Sequence, residues 1–132
     1  ELEQDIRNKV KELSLTDSVR FMGKQKDTSK FYQAMDCFVL PSRYEGLGVV
    51  AIEAQACSVP VICSTAVPKD AKITSSVKFI GLDESSSNWA DSVLDVIKTQ
   101  VKRNEREEVR KAGYDIEVEA KKLTDFYEEL LK

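Results

Sequence analysis

Apolar residues along this chain occur in short runs separated by polar turns, and helix-like patterns alternate with these runs. Residues 1–13 place an apolar side chain about once per helical turn, which predicts an amphipathic helix. Residues 37–40 and 59–63 are apolar runs of strand length. Because residues 37–40 lack polar alternation, we expect that strand to be covered on both faces. Strands that alternate with helices predict an α/β domain with a parallel sheet.

Weaker signals mark the remaining elements. A polar, irregular stretch at residues 64–76 predicts a loop. Two further strands are predicted at residues 19–22, ending at Gly23, and at Val77–Ile80. Further helices are predicted at residues 27–35 with Asp27 as cap, at 49–57, at 88–101, from about 105, and at 116–131 after Gly113.

Composition narrows the class of protein. The 132 residues are 42% hydrophobic and 33% charged, which is ordinary for one folded domain. The net charge of -3 argues against nucleic-acid binding, because no uncompensated basic patch is available to meet phosphates. No apolar run approaches the roughly 18 residues that a membrane span needs. Since the chain has no histidine and no CxxC pair, a zinc site is not expected and Ser–His or Cys–His nucleophiles are excluded.

The three cysteines indicate a cellular compartment. Cys37, Cys57 and Cys63 lie in apolar stretches at irregular spacing, and an odd number cannot pair within one chain. This is typical of buried thiols in a reducing environment, so we expect a cytoplasmic protein.

The junction at residues 40–53, between a strand and a helix, carries the candidate chemistry. Gly46 and Gly48 let the backbone approach a ligand closely, and the helix that follows favours a phosphate at its N-terminus. Glu53 is a carboxylate in an otherwise apolar segment and needs hydrogen-bond donors, which the vicinal hydroxyls of a ribose would supply. Glu45 would then lie near the other end of the ligand. The pattern therefore predicts a sugar-nucleotide site.

Two other interpretations of this junction compete with a sugar-nucleotide site. Each feature alone has a structural explanation, since a Gly-x-Gly is often a turn and a lone glutamate is often an ion-pair partner. Residues 46–51 also fit the G-x-G-x-x-G/A dinucleotide fingerprint. However, residues 41–45 intervene after the strand, and Ser64, Thr65 and Ala66 stand where an acidic residue is required. We therefore exclude a nicotinamide cofactor.

Residues 40–56, Leu-Pro-Ser-Arg-Tyr-Glu-Gly-Leu-Gly-Val-Val-Ala-Ile-Glu-Ala-Gln-Ala, strongly resemble the signature of glycosyltransferase group 1, retaining enzymes of the GT-B fold. The core of that signature is two glutamates separated by seven residues, here Glu45 and Glu53. The resemblance covers nearly the whole chain and is greatest to bacterial capsule and exopolysaccharide glycosyltransferases. It implies a Rossmann-like, parallel-sheet domain spanning residues 1–132, the donor-binding C-terminal half of a GT-B fold truncated at its N-terminus.

The resemblance also implies roles for individual residues. Glu53 would hold the ribose hydroxyls of the donor, and Glu45, the catalytic candidate, would lie close to the transferred sugar. Backbone amides of the loop would face the donor sugar and its diphosphate, and the Gly23 loop would border the base. The implied donor-binding residues are Gly23, Glu45, Gly46, Leu47, Gly48 and Glu53.

By the same resemblance the intact enzyme would transfer a hexose-type sugar from a nucleotide diphosphate to a glycan or lipid-linked acceptor. The acceptor would be held by an N-terminal domain that this chain lacks, so the chain would be inactive alone. Neither a metal nor another cofactor would be needed, and peripheral membrane association of the intact enzyme is left open. The alternative is a non-catalytic α/β nucleotide- or ligand-binding module, in which Glu45 and Glu53 only hold a ligand or stabilise a loop.

Two departures from the family pattern are visible in the sequence. Ser58 stands where the family usually has glycine after the signature helix. Residues 66–68, Ala-Val-Pro, replace its usual glycine pair before the next segment. The second departure removes flexible backbone near the expected phosphates.

Overall fold

The structure, a computed structural model, describes residues 2–99 and 104–132. In chain order the elements are α1 (Leu2–Glu12), α2 (Ser29–Ala34), β1 (Phe38–Leu40), α3 (Val49–Ala56), β2 (Val61–Ser64), a 3₁₀ turn (Lys69–Ala71), β3 (Val77–Ile80), α4 (Ser86–Lys98), α5 (Arg106–Val109), a wide turn (Arg110–Tyr114) and α6 (Ile116–Leu130). The predicted end of the fourth helix at residues 100–101 lies outside the described residues.

The three strands form one parallel sheet in the order β1, β2, β3. Leu40 of β1 pairs with Cys63 of β2, which in turn pairs with Phe79 of β3. Every residue of β2 is buried, as expected for the middle strand. The prediction of an α/β domain with a parallel sheet is confirmed, and β1, α3 and β2 form its central βαβ unit.

The core lies between α3 and the sheet. Ala51 and Ala54 are fully buried, and their small side chains let the helix approach the strands closely. The buried cluster consists of Tyr32, Ala51, Ala54, Val59, Val61, Cys63, Val67, Ala71 and Val77.

A buried glutamine fastens α3 to the segment between β2 and β3. The side-chain amide of Gln55 donates to the carbonyls of Ala51 and Ala71, at 2.9 and 2.8 Å. Its Oε1 accepts from the backbone N–H groups of Ile73 and Thr74, at 3.0 and 2.9 Å. Since residues 72–76 have no strand or helix of their own, this one side chain satisfies backbone groups that would otherwise be costly to bury.

Two predictions about strands were wrong. Residues 19–22 do not form a strand: no described strand pairs with them, and the preceding turn ends at Val19, whose N–H donates to the carbonyl of Leu15 at 3.0 Å. The first strand is not covered on both faces. Val39 is 39% exposed, because α3 covers the side of β1 that carries Phe38 and Leu40.

Local capping sets where several helices begin. The N-cap residue of α2 is Thr28, whose side chain makes no cap hydrogen bond, so the prediction of Asp27 as the cap was wrong by one residue; Asp27 instead accepts from the N–H of Ser29 at 3.0 Å. Ser85 accepts from the N–H of Asn88 at 3.1 Å at the start of α4. Gly113, with φ of 89°, interrupts the helical backbone within the turn between α5 and α6, so it separates these helices as the sequence predicted.

The amphipathic faces of the two terminal helices are exposed. Leu2 and Ile6 of α1 and Leu123 and Leu130 of α6 all face solvent. None of the helices within residues 2–99 and 104–132 combines the length and apolar character needed to cross a bilayer.

The Gln55 network leads to a prediction about stability. Gln55→Leu keeps the side-chain size but leaves the buried N–H groups of Ile73 and Thr74 without their acceptor. We expect the free energy of unfolding to fall by about 2–4 kcal/mol. Urea denaturation would measure it, with Gln33→Leu on the exposed side of α2 as the matched control. A similar loss for both variants would show that the network does not stabilise the fold.

Candidate functional site

The candidate residues lie in the loop of residues 41–48, directly after β1, and in α3, which begins at Val49. In open α/β sheets, ligands bind beyond the carboxyl ends of the strands, where such loops lie. Connectivity thus brings Glu45, Leu47 and Gly48 to the edge of the sheet where a ligand is expected.

Hydrogen bonds hold the Glu45 carboxylate in place. The hydroxyl of Ser42 donates to Glu45 Oε1 at 2.7 Å. The Ser42 carbonyl in turn accepts from the hydroxyl of Ser64, the last residue of β2. Glu45 is therefore oriented by the ends of two adjacent strands and remains partly exposed.

The two loop glycines serve different purposes. Gly48 has a left-handed φ of 77°, and a Cβ there would lie 3.1 Å from Val67 Cγ1. Gly46 is exposed, has no positive φ, and a Cβ there would meet nothing within 4 Å. The fold therefore favours glycine at position 48, whereas a side chain at position 46 would extend into open space.

The N-terminus of α3 has no side-chain cap. Gly48 is the N-cap residue and has no side chain with which to cap the helix. Val49 and Val50, which begin the helix, are both exposed. Within the described ranges no hydrogen bond reaches their N–H groups, which are therefore free to meet solvent or an anion.

Glu53 lies on the exposed side of α3, so the expectation that it sits in an apolar setting was wrong. The apolar neighbours Ile52 and Ala54 point inward instead. Glu53 Oε2 accepts a hydrogen bond from the hydroxyl of Tyr32 in α2, at 2.9 Å. From the sequence, Tyr32 had no predicted role at the site. Its hydroxyl, within a predicted helix that also carries the apolar Phe31, was the one available signal.

Gly23 lies in the segment between α1 and α2, outside the loop of residues 41–48. It is exposed, has φ of 61°, and a Cβ there would meet nothing within 4 Å. The structure describes no hydrogen bond between residues 2–27 and the loop of residues 41–48. Its role at the base of a donor stays a prediction.

Both departures from the family pattern have a structural counterpart. Ser58 has the left-handed φ of 59° that favours glycine, and its hydroxyl accepts from the N–H of Glu105 at 3.2 Å. Val67, in place of a glycine, is buried and fills the space beside Gly48.

The protonation of two side chains near the site is shifted. Burial, reinforced by the nearby Glu45 carboxylate, raises the pKa of Cys63 to about 11. Burial and then the bond to Glu53 raise the pKa of Tyr32 above its ordinary value. At neutral pH both groups are therefore protonated, and Tyr32 is a hydrogen-bond donor.

Within the described ranges, no cluster of three or more acidic or cysteine side chains could hold a metal ion. The expectation of metal-independent chemistry stays a prediction.

These features define a Rossmann-like α/β domain of the GT-B type, and comparison with known proteins gives its family. The sequence model of the glycosyl transferases group 1 matches residues 1–116. The chain belongs to this family.

Two proteins that are similar to this chain are named as sugar-transferring enzymes. EpsF of Bacillus subtilis (strain 168), which is named as a glycosyltransferase, is 30% identical over 93% of this chain and 33% of its own length. The lipopolysaccharide core biosynthesis mannosyltransferase LpsB of Rhizobium meliloti (strain 1021) is 36% identical over 47% of this chain and 18% of its own length.

A solved structure, sucrose-phosphate synthase from Thermosynechococcus elongatus, superposes with a TM-score of 0.75 and 28% identity. The match covers 97% of this chain and 34% of the synthase. This chain thus spans about one third of the length of EpsF and of the synthase.

The contrast between the glycines is testable. Gly48→Ala should lower the free energy of unfolding by about 2–3 kcal/mol, because it adds both left-handed strain and a contact with Val67. Gly46→Ala is the matched control and should change it by less than about 0.5 kcal/mol. Thermal and urea denaturation would measure both. Equal effects would contradict the distinction.

Proposed function

We propose that this chain is the donor-binding part of a retaining glycosyltransferase, which transfers a hexose-type sugar from a nucleotide diphosphate to a glycan or lipid-linked acceptor. The observation that carries the proposal is the arrangement at the end of β1. A pre-oriented carboxylate at Glu45, open backbone at Gly46 and an uncapped start of α3 adjoin a second, exposed carboxylate at Glu53.

Each part of this arrangement suits one part of a sugar nucleotide. The uncapped N–H groups of Val49 and Val50 suit a diphosphate, because the N-terminus of a helix carries partial positive charge. Glu53, about one turn further along the exposed side, suits the ribose diol, since an ionised carboxylate accepts two hydrogen bonds. Glu45 would then meet the transferred sugar, and Gly46 would allow that sugar to approach the backbone.

In this assignment the chain's residues bind and orient the donor. Helix-end N–H groups would also stabilise the charge that develops on the departing diphosphate. Glu45, held by Ser42, would accept hydrogen bonds from hydroxyls of the sugar and fix its reacting carbon relative to the acceptor. No step assigned to this chain requires a metal.

The proposal also concerns the whole protein. Because the chain spans about one third of the matched relatives, we propose that residues 1–132 form one nucleotide-sugar-binding domain of a longer enzyme. The name of LpsB, a mannosyltransferase of lipopolysaccharide biosynthesis, supports a hexose and a polysaccharide or glycoconjugate product. Free thiols at Cys37, Cys57 and Cys63 support a cytoplasmic location.

Substitutions should distinguish the role of Glu45 from that of Glu53 in the complete protein that contains this chain. Glu53→Gln removes the charge that strengthens hydrogen bonds to the ribose, so affinity for donor and for free nucleoside diphosphate should fall about tenfold to a hundredfold. Glu45→Gln should leave nucleoside diphosphate affinity unchanged and lower kcat/KM for transfer.

Calorimetry with nucleoside diphosphate and with intact nucleotide sugar would measure these affinities. Circular dichroism should first show that both variants are folded. Equal losses for both substitutions with both ligands would show that the roles are assigned wrongly. No loss for either would favour the alternative of a non-catalytic binding module.

The isolated 132-residue chain should transfer no sugar, because transfer requires an acceptor held beside the donor and this proposal assigns the acceptor to another part of the protein. Radiolabelled nucleotide sugars with glycan and lipid-linked acceptors would test it, with the complete protein as the positive control. Robust turnover by the isolated chain would contradict the proposed division of the enzyme.

A further inference from the structure

The contact between Tyr32 and Glu53 joins two elements that are far apart in sequence, α2 and α3. We propose that Tyr32 is a positioning residue, whose hydroxyl holds the Glu53 carboxylate in the orientation that receives the ribose of the donor. This inference rests on the proposed function and adds to it a residue outside the signature of residues 40–56.

The fold fixes where the Tyr32 hydroxyl lies. Tyr32 is only 5% exposed and belongs to the buried cluster. Its ring meets that of Phe38 edge to face, with centroids 5.6 Å apart and planes at 79°. Phe38 is itself anchored in β1, where its N–H donates to the carbonyl of Pro60 at 2.8 Å. Packing against Phe38 and the core therefore holds the Tyr32 ring, and with it the phenol oxygen, in place beside β1.

Glu53 lacks comparable support from its own helix. It is exposed and has a long side chain, so it would lose rotational freedom whenever a ligand immobilised it. Across residues 2–99 and 104–132, the hydrogen bond that the structure describes for the Glu53 side chain is the one from Tyr32. That bond selects one side-chain orientation before a ligand arrives, which lowers the cost of binding.

The hydrogen bond from Tyr32 leaves the Glu53 carboxylate able to accept hydrogen bonds from both hydroxyls of a diol. Tyr32 occupies one lone pair of Oε2, so that oxygen can accept once more. Oε1 accepts no hydrogen bond from the described residues. Because burial and Glu53 raise the pKa of Tyr32, the phenol stays a donor and never competes with the ribose as an acceptor anion.

Tyr32→Phe tests the inference, because it removes the hydroxyl while keeping the ring that packs on Phe38. The probes are uridine, adenosine and guanosine diphosphates, titrated by calorimetry into the complete protein that contains this chain. For the diphosphate that binds, Tyr32→Phe should raise the Kd about two- to tenfold. Tyr127→Phe, the same change on exposed α6, is the matched control and should leave the Kd unchanged.

Titration with the 2′,3′-dideoxy analogue of the same diphosphate distinguishes a positioning role of Tyr32 from a packing role. It lacks the hydroxyls that Glu53 would bind, so Tyr32→Phe should leave its Kd unchanged. In a double-variant cycle, Tyr32→Phe should also cost nothing further once Glu53→Gln is present. Equal weakening for the ribose and dideoxy ligands would overturn the inference and assign Tyr32 a packing role.

Two further outcomes distinguish this inference from the function on which it rests. If Glu53→Gln weakens binding but Tyr32→Phe does not, Tyr32 is not a positioning residue and the proposed function stands. If the unmodified protein binds none of the diphosphates and transfers no sugar, the proposed function fails and the inference fails with it. Thermal melts of each variant would show that the protein is folded in every titration.

Discussion

The packing of α3 against β1 and β2 is the constraint on which both the fold and the site depend. Ala51 and Ala54 allow the helix to lie close to the strands, and Gln55 fastens its far side to the segment before β3. With the helix held at this distance, the chain enters it through Gly48 in a left-handed conformation, where an added Cβ would lie 3.1 Å from Val67 Cγ1, so glycine is favoured there. The position of the loop after β1 follows from that junction.

The two faces of α3 have different roles: the inward face stabilises the fold, and the outward face adjoins the candidate site. Its inward residues are apolar or fully hydrogen-bonded and belong to the core. Its outward residues, Val49, Val50 and Glu53, contribute little burial and face the open side of the loop. Because the two faces make different contacts, outward residues can change to suit a ligand without loss of the packing that holds the helix.

Much of the architecture could be predicted from the sequence, because the strands and helices near the core have strong local patterns. Val77–Ile80 was predicted with its observed bounds, and the parallel order was expected from alternating elements. Residues 19–22 show the limit of such patterns. A short apolar run forms a strand only when another strand pairs with it, and no described strand pairs with residues 19–22. Val39 was misjudged for a similar reason, since burial depends on which elements cover each face of a strand.

By itself the sequence determined the features that short-range connectivity controls. The glutamates at 45 and 53 are eight positions apart across a strand-to-helix junction, so any fold with this junction places them on one loop and its helix. Only the tertiary structure decided that Glu53 is exposed and meets Tyr32, and that packing favours glycine at position 48 but not at position 46. These features depend on distances between segments about 20 residues apart, such as the 2.9 Å from the Tyr32 hydroxyl to Glu53. Local periodicity carries no information about such distances, because they are set only when α2, α3 and the loop after β2 pack together.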